Sequence, residues 1–120
     1  MSITSAATLA TLDRTGPRRI TDLAVIEGVT QPAMTVLVRV MEESGLVERR
    51  GDPSDKRVTL VCLTEAGASY VRARRRAGVE AFARLIDELT REEVNALKAA
   101  LPALLHLAEL EDQDRDGAKQ

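Results

Sequence analysis

Two polar stretches of this sequence carry side chains suited to binding anions or base edges. The first, residues 30–39, supplies hydroxyl and amide groups beside the small Ala33. The second, residues 49–57, supplies three arginines, one lysine and two aspartates. Glutamine pairs with adenine edges, threonine contacts phosphate or the thymine methyl group, and the arginine fork suits phosphate and guanine. These residue types predict a surface that binds nucleic acid.

The sequence offers no comparable set for catalysis or metal binding. It contains no nucleophile–base set, no carboxylate pair with a plausible pocket and no glycine-rich phosphate loop. One cysteine, Cys62, and one histidine, His106, exclude an internal disulfide and leave no soft-metal cluster. We expect Cys62 to act as a small hydrophobic residue of a strand. The chain is therefore predicted not to be an enzyme and to need neither cofactor nor metal.

Composition indicates a globular chain. Of its 120 residues, 44% are hydrophobic and 30% charged, and no apolar run approaches the ~18 residues of a membrane span. Residues 1–12 lack the basic start and apolar block of a signal peptide. With one Tyr and one Phe, base stacking on aromatic platforms is not expected. We expect a soluble, cytoplasmic protein without a membrane partner.

Charge is unevenly distributed along the chain. Residues 1–76 contain 12 Lys and Arg against 9 Asp and Glu, whereas residues 77–120 contain 5 against 10. The asymmetry favours an anion-facing front half and an acidic rear half. Residues 1–63 alone balance at 8 against 8, so charge by itself does not decide the function.

Periodicity and turn residues predict the elements that position these side chains. Three short helices come first, at residues 4–14, 22–27 and 31–44. Thr21 and Thr30 are the predicted caps of the second and third helices, which meet across a Gly28 turn as a helix-turn-helix. Residues 46–50 and 58–63 alternate like strands around a polar loop, which predicts a hairpin. The fold class is therefore mainly α with a small β-wing, a winged helix-turn-helix.

Two longer helices are predicted behind the hairpin. Thr64 caps the first, which is expected to reach Leu89, and Thr90 with Glu93 forms the capping box of the second. The second helix carries an apolar stripe that we expect to form a dimer interface, namely Val94, Leu97, Leu101, Leu104 and Leu105. The predicted organisation is one compact domain with a nucleic-acid-binding lobe at 1–63, a dimerisation region at 64–110 and an acidic flexible tail at 111–120.

Several motifs resemble those of the MarR family of bacterial transcriptional regulators. They are VTQPAMT at residues 29–35, GLVER at 45–49, and DPSDKR at 52–57 followed by LTEAG at 63–67. The wing string Asp-Pro-x-Asp-x-Arg, ending in Leu-Thr-x-x-Gly, is the most specific part. The resemblance covers residues 4–108. It implies a homodimeric, nucleoid-associated repressor that binds double-stranded DNA at a pseudo-palindromic operator and is often released by a small-molecule effector.

The resemblance and the residue chemistry together define the expected DNA-binding residues. In the family, the last arginine of the wing enters the minor groove and an aspartate orients it, which assigns these roles to Arg57 and Asp55. Arg49, Arg50 and Lys56 are expected to contact phosphates. The expected contacts of the third helix are Thr30, Gln31, Pro32, Ala33, Thr35 and Arg39. The plainer alternatives are that Thr30 only caps, that Gln31 is a solvated amide and that the Asp–Arg pair only stiffens the loop.

Two departures from the family pattern bear on function. Val36 stands where many members carry an arginine, and its loss is expected to lower affinity or shift base preference, with Arg39 a partial substitute. The family also has a further helix before residues 4–14, so the dimer is expected to rest on residues 64–110. The apolar stripe alternatively packs on Phe82, Leu85 and Ile86 of its own chain. A second reading is a winged-helix protein-interaction module with weak or no DNA binding.

Overall fold

The computed structural model describes residues 1–118, which form five helices and one two-stranded sheet. The elements are α1 (Ile3–Thr15), α2 (Ile20–Glu27), α3 (Gln31–Glu43), β1 (Val47–Asp52), β2 (Asp55–Leu63), α4 (Glu65–Ile86) and α5 (Arg91–Ala118). This order confirms the predicted winged helix-turn-helix. The chain divides into a first unit, Met1–Ala77, and a second unit that begins at Gly78, within α4.

The helix-turn-helix depends on a left-handed glycine between α2 and α3. Gly28 has φ 68° and ψ 34°, a conformation that glycine adopts without a steric penalty. Its N–H donates to the Val25 carbonyl, and the Val29 N–H donates to the Ala24 carbonyl at 3.0 Å, which closes the end of α2. The two helices meet with a bend of 109°, in the range of helix-turn-helix motifs.

The core of the first unit joins the inner faces of α1, α2, α3 and the sheet. Its buried residues are Leu9, Leu12, Leu23, Ala24, Met34, Val38, Met41, Val47, Val61 and Val71. Three of them, Met34, Val38 and Met41, are spaced by four and three residues and form an apolar stripe along one face of α3. Because each fully buried aliphatic side chain contributes roughly 1.5–3 kcal/mol, this stripe determines which face of α3 points outward.

Among the described residues, no single helix is both long and apolar enough to cross a membrane; only α2 and α3 counted together, across their 109° bend, reach that length and composition.

The wing is an antiparallel hairpin with a short third strand segment beside it. Val47 pairs with Leu63 and Gly51 with Thr59. Arg18 extends the sheet, because its N–H donates to the Val61 carbonyl at 3.1 Å and its carbonyl accepts from the Val61 N–H at 2.7 Å. The predicted loop at 51–56 is shorter than expected, since the strands continue to Asp52 and resume at Asp55.

The start of α2 corrects the prediction that Thr21 is its cap. Arg19 is the N-cap, and its carbonyl accepts the first helical hydrogen bond from the Leu23 N–H at 3.1 Å. The reason is tertiary: Arg18 is held on β2, so the chain leaves the sheet and turns into the helix at once. Thr30, in contrast, is the cap of α3, as predicted.

The last two helices differ from prediction at their ends. Three residues after Ile86 form tight turns instead of helix, because the N–H groups of Glu88 and Leu89 donate three residues back. The capping box at Thr90 and Glu93 is confirmed in both directions, at 3.0 and 3.1 Å. Residues 111–118, predicted as a flexible tail, continue α5, and no proline or glycine lies between residue 111 and Gly117. Residues 119 and 120 lie outside the described range.

Candidate nucleic-acid interface

The first turn of α3 is exposed and closed by its own cap. Thr30 has an extended backbone, and its Oγ1 accepts a hydrogen bond from the Ala33 N–H at 3.3 Å. Thr35 donates its hydroxyl hydrogen to the Gln31 carbonyl at 2.9 Å. Pro32 occupies the first turn, where no backbone N–H is needed within the helix. All five side chains lie on the surface, in positions open to another molecule.

The tip of the wing is a short turn organised by Asp52. Its carboxylate accepts hydrogen bonds from the N–H and the hydroxyl of Ser54, at 2.8 and 2.7 Å. These two bonds lower the pKa of Asp52 below its ordinary value, the hydroxyl bond most of all. The acidic side chain thus stabilises a compact turn, and the strand after it presents Asp55, Lys56 and Arg57 at a defined position.

Asp55 holds Arg57 in one orientation. Arg57 donates through Nε to Oδ1 at 3.2 Å and through Nη2 to Oδ2 at 3.3 Å, and its backbone N–H donates to Oδ1 at 3.0 Å. The Arg57 side chain is nevertheless 91% exposed. An exposed ion pair of this kind contributes little to folding stability, because water screens the two charges. The geometry confirms that the two residues pair as predicted.

We expect removal of Arg57 to raise the pKa of Asp55. Hydrogen bonds from the Arg57 side chain, and then from its backbone N–H, lower this pKa below its ordinary value near 3.8. A depressed pKa means that the pair is intact above the ordinary value and is lost as the pH falls through the depressed one. In Arg57→Ala, NMR titration of the carboxyl carbon should show the Asp55 pKa shifted upward toward 3.8. Asp52 is the internal control, because Ser54 and not Arg57 lowers its pKa.

Comparison with known proteins shows which family this chain belongs to. The model of the MarR family matches residues 1–59. A helix-turn-helix-type transcriptional regulator of Mycobacterium tuberculosis is 34% identical over 109 residues, which cover 91% of this chain and 76% of that protein. The chain belongs to the MarR family. Like its relatives, it is a transcriptional regulator and not an enzyme.

Two further MarR-family comparisons extend this result. The transcriptional repressor IacR of Pseudomonas putida is 30% identical over 95 residues, covering 79% of this chain and 57% of that protein. A mutant of the regulator MepR of Staphylococcus aureus, bound to an oligodeoxyribonucleotide, is 26% identical with a TM-score of 0.71. That match covers 90% of this chain and 80% of MepR.

The basic residues predicted to clamp phosphates fall into two groups. Arg49 pairs with Glu42 of α3 at 3.4 Å, and Arg50 pairs with Glu48, so carboxylates already neutralise part of their charge. Arg39 and Lys56 are exposed and make no ion pair within the described part of the chain. The pair between Arg49 and Glu42 also ties the wing to the end of α3, which holds both predicted contact elements on one unit.

The residues predicted for dimerisation lie in the second unit. Leu97, Leu101, Leu104 and Leu105 are between 44% and 58% exposed, whereas Val94 is half-buried. A groove of about 310 Å³ is lined by Phe82, Ile86, Val94, Leu97, Lys98, Leu101 and Leu104. Phe82 and Ile86 of the same chain border this groove, but Phe82 and Leu85 are 62% and 61% exposed, so the apolar groove is left open.

Sequence reasoning treated Val36 only as a missing arginine and did not note Val40, the other exposed valine of α3. Val36 is 48% exposed and Val40 is 50% exposed, one turn apart on the surface side of the helix. The signal was present in the sequence, since both fall outside the apolar stripe of Met34, Val38 and Met41.

Within the described residues, no group of three or more His, Cys, Asp or Glu side chains is arranged to hold a metal ion.

Proposed function

We propose that this MarR-family regulator is a homodimeric repressor that binds a pseudo-palindromic site in double-stranded DNA. The observation that carries the proposal is Arg57, oriented by Asp55 at the wing tip yet almost fully exposed. A narrow, A/T-rich minor groove concentrates negative potential and attracts arginine. An arginine oriented by an aspartate and not covered by protein suits such a groove.

The first turn of α3 supplies the proposed major-groove contacts. Gln31, Thr35 and Arg39 are exposed, and the small Ala33 permits a close approach of the backbone. In helix-turn-helix proteins, the N-terminal residues of the second helix contact base edges. Lys56 adds a phosphate contact, which positions the protein without reading sequence. Helix and wing would thus contact adjacent grooves from the same unit.

A second copy of the chain is the proposed partner of the exposed leucines. Two-fold symmetry would place two α3 helices in successive major grooves, about 34 Å apart. The apolar stripe of α5 and its groove supply a self-complementary surface, as a two-fold interface requires. Exposed leucines at this density on one face favour an interface over a solvated surface.

Substitution of Leu101 by glutamate is expected to weaken dimerisation by about tenfold or more, because the interface would bury an unpaired carboxylate. Light scattering over a dilution series measures this change. Ala99→Glu is the matched control, because Ala99 is exposed on the opposite face of the same helix. Equal dimerisation of the two variants would contradict the assigned interface.

The repressor assignment rests on the relative IacR of Pseudomonas putida, which is a transcriptional repressor.

A gel shift with the DNA that flanks this protein's own gene tests the function. We expect specific binding that weakens steeply with salt, because bound phosphates release counterions. A reporter gene behind the same DNA should be less active when the protein is expressed. The protein-interaction alternative would instead give a stable protein partner and no retained DNA at low salt.

A small-molecule effector completes the proposal. The single tyrosine and the single phenylalanine of the chain, Tyr70 and Phe82, line different concavities. Phe82 belongs to the groove of the second unit, whereas Tyr70 lines a concavity of about 200 Å³ in the first. There, the Arg74 guanidinium lies 5.9 Å from the Tyr70 ring centroid, and Arg75 pairs with Asp13 at 3.4 Å. A small compound that binds to these side chains and releases bound DNA would support an effector site at Tyr70.

A further inference from the structure

We infer that Val36 reads the C5-methyl group of a thymine in the major groove, and that this contact sets part of the sequence preference. The inference rests on the proposed function, since it requires α3 to lie in that groove. It assigns a base-reading role to a residue that contributes neither charge nor hydrogen bonds.

The position of Val36 on α3 is opposite the core. Met34, Val38 and Met41 define the buried face of the helix. At 3.6 residues per turn, the direction opposite this face falls between Pro32 and Val36. A helix that enters a groove with its outer face therefore brings Val36 toward the base edges.

The polar groups next to Val36 are not suited to contact a thymine methyl group, so Val36 is the proposed source of that contact. The hydroxyl hydrogen of Thr35 is already donated to the Gln31 carbonyl at 2.9 Å, so it is not available to a base acceptor while that bond persists. Val36 is 48% exposed, and Val40, one turn later, is 50% exposed. The two side chains make a short apolar strip on the outer face of α3, next to the exposed Pro32.

Only one base-edge group in the major groove is apolar. Adenine, guanine and cytosine present donors and acceptors there, whereas thymine also presents its C5-methyl group. A branched aliphatic side chain facing the groove therefore gains most from thymine, and it leaves a donor or acceptor unpaired opposite the other bases. This chemistry commits Val36 to thymine.

The test separates the methyl group from every other property of the base. A duplex selected from a random library by the wild-type protein is resynthesised with each thymine replaced in turn by deoxyuridine, which lacks only the methyl group. We expect one or two positions at which this replacement weakens binding by about fourfold, the factor that burial of one methyl group provides. In Val36→Ala, the same replacement should change affinity by much less.

Two variants serve as controls. Thr35→Ser removes a methyl group from the adjacent residue and keeps the hydroxyl, so it should retain the sensitivity to deoxyuridine. Val25→Ala shortens a valine that is 72% exposed on α2, and it should retain both affinity and sensitivity. Circular dichroism of each variant verifies that helix content is unchanged.

The outcomes distinguish failure of this inference from failure of the proposed function. Specific binding with no deoxyuridine position whose effect depends on Val36 overturns the inference and leaves the proposed function intact. Sensitivity that disappears in Thr35→Ser but persists in Val36→Ala also overturns it, because Thr35 would then be the reader. No specific binding to any selected duplex overturns the proposed function, and the inference with it.

Discussion

Replacement of Arg57 by alanine is expected to weaken binding to operator DNA by about tenfold to a hundredfold, the range for loss of a specific arginine contact. The Arg57 side chain is 91% exposed and held by Asp55, so its removal deletes a preorganised cation without disturbing the core. Fluorescence anisotropy with a labelled duplex at two salt concentrations measures the change. The dependence of affinity on salt should also become shallower by about one counterion.

Two further variants show whether charge or orientation matters. Arg14→Ala removes an exposed arginine from the last turn of α1, to which no DNA contact is assigned, and should leave affinity nearly unchanged. Asp55→Asn keeps the charge of Arg57 but weakens the ion pair that orients it, so an intermediate loss is expected. Affinity that survives Arg57→Ala and Asp55→Asn unchanged would refute the role assigned to the wing.

The largest expected effect on stability is that of Gly67→Ala, at about 3 kcal/mol, the upper end of typical overpacking costs. Gly67 is buried in the first turns of α4. An added methyl group would overlap the Leu46 carbonyl oxygen and lie 2.7 Å from Leu63 Cδ1. Because the Leu46 carbonyl also accepts from the Thr64 N–H at 3.1 Å, relief of the clash must disturb the junction of wing and helix. Urea denaturation followed by circular dichroism measures the loss.

Gly78→Ala is the matched control for this prediction. Gly78 is in the same helix, and a methyl group there meets no atom within 4 Å. It should stabilise the protein by about 0.5–1 kcal/mol, since alanine has the higher helix propensity. If both substitutions stabilised the protein, the close approach of Leu46 to α4 would be wrong.

The local features of the fold could be predicted because adjacent residues specify them. The cap at Thr30, the capping box at Thr90 and the pairing of Asp55 with Arg57 each join residues two or three positions apart. The buried stripe of α3 follows from helical periodicity in the same way. These features, with the family resemblance, contained nearly all that was needed to locate the candidate interface.

Other features depend on residues far apart in the chain. The start of α2 was misplaced because the pairing of Arg18 with Val61, and not a local cap, determines where the helix begins. The adjacent residues do not show that a carboxylate partly neutralises Arg49, since its partner Glu42 lies at the end of α3.

The amino-acid order alone determined that a helix-turn-helix precedes a charged wing and that an apolar stripe follows, because periodicity, caps and turn residues act over one or two helical turns. Only the folded structure decided why Gly67 tolerates no side chain and which arginines remain free of carboxylates. These properties depend on distances between segments, and packing of the whole core determines those distances.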